Sequence, residues 1–563
     1  MACKGFARPL TAAVLAAALS FAAAGFTPAF AAVTISTDGT QNISCSATVC
    51  SPTAADAILN IHALENLLAA GDIEITSGGS LAQDVIVAAG ISWTSASKLT
   101  LTAYRYITIN QPISVAGTGA LDLEADTGNA NGNITFGTKG HATFFSLHSE
   151  LTIQKKKFTL INSISALATA IALKPDGYYA LANSYDATPD GTYAHSPIPT
   201  EFGGIFDALG NTISNLSVND TSANTGEEVG LFSVTQPGSY IRHLNLAKVH
   251  IFGAASSEVG GIVGDANGVL RFDFVSGTVR TGTQGKAGGL AGINEGPIEY
   301  SHSSATVISP GNDAELGGLA GLNYATVTNS YATGAVTGSG MSQEVGGLVG
   351  GQQSGTIKYS HATGAVTAQQ SGTYVGGLVG DVLGGNGIFY CYATGPVTGG
   401  PLGVAGGLIR HGGAIDSFAT GAVSGAQYSG GLIGSTQQFA IYNDYAMGAV
   451  SGEYAGGLVG INGGSIATSY STESVSGMTD AGGLIGYDGE AAGQIASTYW
   501  DTTTSGITDK SQGAGNVAND PGITAQTTQH LKAGLPAGFD ASHWAESATI
   551  NGGLPYLLLT PPP

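Results

Sequence analysis

The chain repeats one pentapeptide, GGLVG or a close variant of it, nine times between Gly260 and Gly486. Successive copies start 24 to 30 residues apart, and a fixed period of this length indicates a solenoid in which each repeat forms one coil. The repeats cannot be helical, because they are rich in glycine, and each glycine in a helix interior costs about 1 kcal/mol relative to alanine. Short runs of small and β-branched residues between Gly, Asn and Ser predict strands instead. The copies start at Gly260, Gly288, Gly317, Gly346, Gly376, Gly406, Gly430, Gly456 and Gly482.

A second signal runs in phase with the first. It is an aromatic residue or histidine followed by a run of small residues that ends in valine, as in 331–336. In parallel coils about 4.8 Å apart, equivalent rings would stack into a column. We expect this column to stabilise the solenoid; a carbohydrate-binding strip is the alternative, and it requires exposed rings. The members are Phe274, His302, Tyr331, His361, Tyr392, Phe418, Tyr445 and Tyr470.

The first 31 residues have the pattern of a secretory signal peptide. Lys4 and Arg8 supply the positive start, and residues 10–24 form the apolar stretch. Ala29-Phe30-Ala31 matches a signal-peptidase site, so the mature chain is predicted to begin at Ala32. No later segment approaches the roughly 18 consecutive apolar residues of a membrane-spanning helix. We therefore expect an exported protein without a transmembrane segment.

The charge of the chain excludes some classes of partner, and its cysteines point to structural roles. Acidic residues outnumber basic ones 39 to 18, and the net charge is −21. This balance argues against nucleic acid and anionic membranes as partners. Cys45 and Cys50 lie close together in an exported chain and are candidates for a structural disulfide. Cys391 stands before a column ring, where serine is usual, and we expect it to be buried and structural.

The mature chain divides into five regions. Residues 32–71 form an N-terminal cap, in which residues 54–70 are the only convincing helix and Gly71 is its stop. Capped ends should keep the solenoid monomeric. The tail is predicted to contain a final strand at 554–559. The other regions are 72–160 with successive strands, 161–250 with less regular strands, 251–500 with the repeat, and 501–563 with an irregular C-terminal cap or tail.

These residues resemble a known family. GGLVG in tandem is similar to the GLUG motif of filamentous-haemagglutinin-like adhesins and of some IgA-cleaving metalloproteases. The flanks add to the resemblance: residues 91–113 look like haemagglutinin-type β-helix coils, and 177–216 look like the segment that leads into such repeats. The stretch from Tyr499 to Gly506 is similar to the closing motif. The resemblance implies an all-β, right-handed parallel β-helix, exported from a Gram-negative cell, with a role at the surface.

Motifs of catalysis are missing from the sequence. The metalloprotease relatives need His-Glu-x-x-His, and no such string occurs. The acidic residues of the repeats, including Asp273, Glu315, Glu344 and Asp381, show no common phase, which argues against paired carboxylates. Arg410 replaces the last glycine of one GGLVG copy and marks an irregular coil. We expect no enzymatic activity, no cofactor and no metal site.

Three functions stay open at this point. We expect a secreted or surface-bound adhesin that attaches to host, cell-surface or matrix glycans or proteins. A carbohydrate-binding or carbohydrate-processing solenoid is the first alternative, which exposed aromatics beside a groove of carboxylates would favour. A passive spacer of a larger secretion system, with an outer-membrane secretion partner, is the second.

Overall fold

The chain winds into a parallel β-solenoid, the fold class that the repeats predict. A computed structural model describes residues 31–129, 131–222, 226–384, 387–489 and 494–563. The predicted signal peptide lies outside the described residues, apart from Ala31. Three α-helices occur in the described part, and they span Ile61–Ala70, Ile164–Leu173 and Thr528–Leu531.

One coil of the repeat contains five short strands. In the coil that begins at the third column ring they are Tyr331–Ala332, Val336–Gly338, Glu344–Gly346, Val349–Gln352 and Ile357–Lys358. Each pairs in parallel, and in register, with the same strand of the next coil. We call them the first to fifth strands of a coil.

The same five strands recur along the repeat, with one change towards the C-terminus. After Gly406 the step between copies falls to 24–26 residues, and the second and third strands merge into one.

The first strands are Phe274–Arg280, His302–Ser303, Tyr331–Ala332, His361–Ala362, Tyr392–Ala393, Phe418–Ala419, Tyr445–Ala446, Tyr470–Ser471 and Thr498–Asp501. The second are Thr306–Ser309, Val336–Gly338, Val366–Ala368 and Val397–Thr398, and the merged ones Val423–Gly430, Val450–Gly456 and Val475–Gly482. The third are Glu258–Gly260, Lys286–Gly288, Glu315–Gly317, Glu344–Gly346, Tyr374–Gly376 and Val404–Gly406. The fourth are Val263–Ala266, Ala291–Asn294, Ala320–Asn323, Val349–Gln352, Val379–Val382, Ile409–His411, Ile433–Ser435, Val459–Asn462 and Ile485–Asp488. The fifth are Val269–Arg271, Ile298–Glu299, Val327–Thr328, Ile357–Lys358, Ile388–Phe389, Ala414–Ile415, Ala440–Tyr442, Ser465–Ala467 and Ile495–Ala496.

The GGLVG motif forms the corner between the third and fourth strands. A Cβ on Gly346 would collide with the carbonyl of Val349, and one on Gly347 would collide with the carbonyl of Gly377 in the next coil. A Cβ on Gly350 would press on the backbone of the preceding coil. Leu348 and Val349 are fully buried between these glycines. The motif therefore combines a tight corner with close contact between coils and a pair of core side chains.

A ladder of small polar side chains holds a second corner, just before the first strand. Ser330 Oγ accepts a hydrogen bond from Ser301 N at 3.1 Å and donates one to Thr328 O at 2.8 Å. The preceding residue, Asn329, has a left-handed backbone with φ of 50°, and the ladder stabilises this strained corner. Cys391 occupies one rung, fully buried, as expected. The rungs are Asp273, Ser301, Ser330, Ser360, Cys391, Ser417, Asp444 and Ser469.

The N-terminal end of the solenoid is covered by its own chain. The helix Ile61–Ala70 lies against the strand Ile91–Trp93, and Glu65 Oε1 accepts a hydrogen bond from Ser92 N at 3.2 Å. The strands here are Ala32–Ser36, Ile43–Ser46, Val49–Pro52, Ala57–Asn60, Ile73–Thr76, Asp84–Val87, Ile91–Trp93, Lys98–Thr102, Ile107–Ile109, Ile113–Val115, Ala120–Glu124, Ile134–Phe136, Ala142–Phe144, Glu150–Ile153 and Lys156–Ile161.

The predicted helix at 54–70 is wrong over its first part. Residues 57–60 form a strand that pairs with Ala32–Ser36, and the helix begins only at Ile61. The reason is Asn60, whose backbone is extended and whose side chain accepts hydrogen bonds from His62 N and Ala63 N. Asn60 is thus the N-cap, and the chain before it is free to pair as a strand.

A second helix, Ile164–Leu173, was not expected from the sequence. Ser163 caps it by accepting a hydrogen bond from Ala166 N at 3.1 Å, and Ile164, Leu167 and Ile171 are buried on one face. The helix follows an antiparallel hairpin, Glu150–Ile153 with Lys156–Ile161, where a new set of coils begins. The strands that follow, up to the repeat, are Tyr178–Leu181, Tyr185–Asp186, Thr192–Tyr193, Ile205–Asp207, Thr212–Ser214, Ser217–Asp220, Glu228–Val229, Phe232–Thr235, Tyr240–Arg242 and Asn245–Gly253.

A buried charged cluster fastens the two sets of coils together. Asp207 contacts Arg242 Nε at 2.7 Å and His243 Nδ1 at 3.0 Å. Burial alone would raise the pKa of Asp207, but the adjacent His243 and Arg242 lower it to about 2. The other ring nitrogen of His243 lies 3.0 Å from the carbonyl of Ile134 in the N-terminal coils.

The C-terminal tail returns along the side of the solenoid. Coil pairing continues past residue 500, because Ile523–Gln526 pairs with Thr498–Asp501. Beyond it, Trp544 packs against the edges of both Tyr445 and Tyr470. The strand predicted at 554–559 is wrong apart from Tyr556–Leu557, which pairs antiparallel with Trp544–Ala545. The residues that follow, Leu558 and Leu559, are each 44% exposed.

No helix in the described part of the chain is long and apolar enough to cross a membrane.

The serine ladder should make a measurable contribution to stability. We expect Ser330→Ala to lower the free energy of unfolding by about 1–3 kcal/mol, because the buried Ser301 N–H loses its acceptor. Urea denaturation followed by circular dichroism measures this difference. Ser304→Ala, at an exposed position one coil away, is the control and should lie within about 0.5 kcal/mol of the wild type. Equal midpoints for the two variants would contradict a stabilising ladder.

The tail should detach when its main anchor is removed. Trp544 is 1% exposed, and we expect Trp544→Ala to make residues 527–563 sensitive to limited proteolysis while the coils stay resistant. Mass spectrometry of the first cleavage products identifies the site. Leu559→Ala, at an exposed tail position, serves as the control. Initial cleavage of the Trp544→Ala protein within the repeat would contradict this assignment.

Candidate functional site

The structure brings all eight predicted column residues into one continuous ladder. Neighbouring ring centroids lie 4.5–5.2 Å apart, and from His302 onwards the planes are within 14° of parallel. Phe418, Tyr445 and Tyr470 are fully buried beneath the tail, and the earlier rings are half-buried. Each inner ring is thus covered on both faces by its neighbours. A sugar needs a free ring face to stack on, so the column is a poor carbohydrate platform.

The column histidines have no charge at neutral pH. Burial lowers the pKa of His302 to about 4 and that of His361 to about 4. Tyr331 lies between them, stacked on both rings at 4.6 and 4.8 Å. Neutral rings stack without charge repulsion, which suits a structural column.

The cysteines are structural in this arrangement. Cys45 and Cys50 form a disulfide across the hairpin Ile43–Ser46 with Val49–Pro52, at the N-terminal end. Burial raises the pKa of the Cys391 thiol to about 12, so this sulfur is not a nucleophile at neutral pH.

A groove runs along the GGLVG corner, on a different face from the column. Its two walls are the outward side chains at the start of the third strand and at the third residue of the fourth. The walls meet at Gly351, where a Cβ would lie 3.0 Å from Glu344 Oε2 and 2.9 Å from Leu322 Cδ1. One wall consists of Glu258, Lys286, Glu315, Glu344, Tyr374, Val404, Tyr428, Tyr454 and Asp480. The other consists of Asp265, Ile293, Leu322, Gly351, Asp381, His411, Ser435, Ile461 and Tyr487.

The expectation that the carboxylates of the repeats share no common position is wrong for three glutamates in the groove. Glu315 and Glu344 are paired residues in adjacent coils, and Glu258 occupies the same position two coils earlier. Glu315 Oε2 and Glu344 Oε2 lie 3.1 and 3.0 Å from one point, the Cβ position of Gly351. The signal was present in the sequence, because all three glutamates stand two residues before a Gly-Gly pair.

Burial shifts both glutamates towards the protonated form. It raises the pKa of Glu315 to about 7; Lys286 opposes this shift, while Glu258 and Asp381 add to it. It raises the pKa of Glu344 to about 8, with contributions from Asp381 and Glu315 and opposition from Arg410. Near neutral pH the pair therefore shares hydrogen-bond donor and acceptor character.

Arg410 gives the groove its one irregular coil. Its strand, Ile409–His411, pairs with the strand Val379–Val382 of the preceding coil only through Val379 and Ile409. The guanidinium lies 3.6 Å from the ring centre of Tyr374 and contacts Asp381 at 3.2 Å. His411 Nδ1 lies 3.0 Å from the same carboxylate.

Beyond this coil the groove becomes aromatic. Tyr428 and Tyr454 stack with centroids 4.9 Å apart, and Tyr487 on the opposite wall stands edge-to-face to Tyr454 at 6.1 Å. Tyr487 is 39% exposed. Among the described residues, no group of three or more His, Cys, Asp or Glu side chains is placed to hold a metal ion. The groove thus changes along its length from charged side chains to paired tyrosines.

The glutamate pair should make stability depend on pH. Folding raises both pKa values above the ordinary 4.5, so the stabilising contribution is complete below about pH 4.5 and is lost as the pH rises through 7 to 8. We expect Glu344→Gln to be no more stable than the wild type at pH 5 and more stable at pH 9, as measured by thermal melting. Glu295→Gln, at an exposed position, is the control, and its melting temperature should differ from that of the wild type by the same amount at pH 5 and pH 9. A Glu344→Gln profile parallel to that of the wild type would contradict the assignment.

Comparisons with known proteins agree with the repeat. A family model described as the GLUG motif matches residues 313–337 and 341–367. Halomucin, from Haloquadratum walsbyi (strain DSM 16790 / HBSQ001), is 31% identical over 183 residues; the match covers 32% of this chain and 2% of that relative. A solved structure of a candidate immunoglobulin A1 protease from Bacteroides ovatus is 16% identical, with a TM-score of 0.30, and the match covers 72% of this chain and 93% of that one. A likeness at this TM-score supports no inference.

The matched segments lie in successive coils of the solenoid, and each contains one GGLVG corner. The same corner recurs in phase on both sides of them. Residues 313–337 and 341–367 thus match the GLUG motif, and the repeat to which they belong is built as a parallel β-solenoid.

Proposed function

We propose that this chain is an exported surface protein whose solenoid serves attachment or surface structure, without catalysis. The observation that carries the proposal is the coverage of the solenoid. The helix Ile61–Ala70 packs on the strand Ile91–Trp93 at the N-terminal end, and the tail covers the last rings of the column, so both lie away from the GGLVG corner. A covered N-terminal edge limits strand pairing between molecules, and the sides that the tail does not cover are left for contact with partners.

The export part of the proposal is supported by the signal-peptide pattern in residues 1–31 and by the disulfide, which is typical of oxidising compartments. The GLUG repeat and the similarity to the haemagglutinin-like adhesins favour a location at the cell surface or in the medium.

The proposed lack of catalysis is supported by the chemistry of the groove. Paired-carboxylate enzymes use environments that separate the two pKa values, so that one group is the acid and the other the base or nucleophile. Burial raises the pKa of Glu315 and that of Glu344 together. The third carboxylate, Asp381, is held by Arg410 and His411.

The proposal predicts where the protein is found and what its loss does. In the native host we expect fractionation with an antibody against the repeats to place it at the cell surface or in the medium. We also expect cells lacking the gene to adhere less to glycan-coated or matrix-coated surfaces, with recovery when residues 1–563 are restored. A strain that makes the chain without residues 1–31 is the matched control, and it should neither export the protein nor recover adhesion. Periplasmic retention with unchanged adhesion would contradict the proposal and favour a passive spacer.

A further inference from the structure

The groove face carries more information about the partner than the column does. We propose that the groove along the GGLVG corner binds an extended polysaccharide of neutral or amino-bearing sugars. The inference deepens the proposed function by naming a ligand class, and its binding test does not depend on where the protein is located.

Polar atoms without partners are the first argument. Ser435 is 3% exposed, and its Oγ has no hydrogen-bond partner among the described residues. It pairs in register with His411 and Ile461, so its side chain faces the groove as theirs do. Buried hydroxyls are nearly always hydrogen-bonded in folded proteins.

Further unpartnered atoms lie along the same groove. They are two acceptors, Asp265 Oδ1 and Glu315 Oε2, together with Arg410 Nε and His411 Nε2. A ligand rich in hydroxyl groups can both donate to the acceptors and accept from the donors. Such atoms spread over several coils fit a long ligand better than a compact one.

The tyrosines are the second argument. Column rings cover one another, but Tyr487 stands at 86° to Tyr454 and keeps 39% of its surface exposed. An edge-to-face pair leaves ring surface free, and the apolar face of a sugar can pack on it. The tyrosines therefore offer the stacking surface that the column lacks.

The charge of the groove selects the type of sugar. The acidic side chains are Glu258, Asp265, Glu315, Glu344, Asp381 and Asp480. They face the basic groups Lys286 and Arg410, with His411 beside them. Apart from the partly protonated Glu315 and Glu344, four carboxylates face two permanent cations, and this excess repels uronate and sulfate groups, so neutral and amino-bearing sugars are favoured. The buried Glu315 and Glu344, with their raised pKa values, can also donate hydrogen bonds to sugar hydroxyls near neutral pH.

The test is a binding measurement on the purified mature protein. The probes are hexamers of glucose, N-acetylglucosamine and glucosamine, all β-1,4-linked, with polygalacturonate as the anionic comparison, studied by calorimetry at pH 7. We expect at least one hexamer to bind, the corresponding dimer to bind more weakly, and polygalacturonate not to bind.

Variants locate the binding. We expect Tyr487→Ala to weaken hexamer binding by about tenfold, the size of one lost stacking contact. Tyr442→Ala is the matched control, because Tyr442 is 42% exposed but lies on the fifth strand, away from the groove. This variant should bind the hexamer with the affinity of the wild type. Both tyrosines are exposed, so both variants should fold, and equal melting temperatures would verify this.

Three results would overturn the inference: no binding of any hexamer, equal affinity of the two variants, or preferential binding of polygalacturonate. Retention of the protein inside the cell would instead count against the proposed surface role and leave the binding result in place. Shortening of the hexamer by the wild type but not by Tyr487→Ala would support the groove as the binding site and contradict the proposed lack of catalysis.

Discussion

Close contact between backbones in successive coils is the constraint on which the rest of this structure depends. Each strand bonds to the same strand one coil on, and the corner between the third and fourth strands brings carbonyls where a Cβ on Gly347 or Gly350 would stand. Glycine at these positions permits the contact, and repetition then places every other side chain in register. The aromatic column, the serine ladder and the groove walls all follow from this register.

The repeated features of the fold could be predicted from the sequence, whereas the elements that interrupt the repeat could not. The parallel solenoid and the column follow from phase alone, because paired coils stack equivalent residues. The helix Ile164–Leu173 was missed since its three buried residues lie among alanines and fall outside the repeat. The start of the first helix was misplaced because the extended backbone at Asn60 is a tertiary outcome, set by strand pairing with residues 32–36.

The candidate groove shows a different limit. Glu315 and Glu344 could have been found from their spacing before Gly-Gly, yet the opposite wall could not, because it comes from the far side of the corner. Only the fold shows that Gly351 leaves room for both carboxylates and that Tyr487 reaches Tyr454. Burial, which raises the pKa of both glutamates, likewise has no counterpart in a single sequence.

The tail that lies on the column also bears on how the protein responds to mechanical force. Hydrogen bonds between coils run along the axis, so a pull at one end can peel coils away singly. The tail contacts several coils at once: His543 binds Asp416, the carbonyl of Pro555 accepts from Tyr470, and Ala537 O accepts from Tyr499. A pull that peels away the last coils must therefore also break these tail contacts, so the load is shared among several coils instead of falling on one.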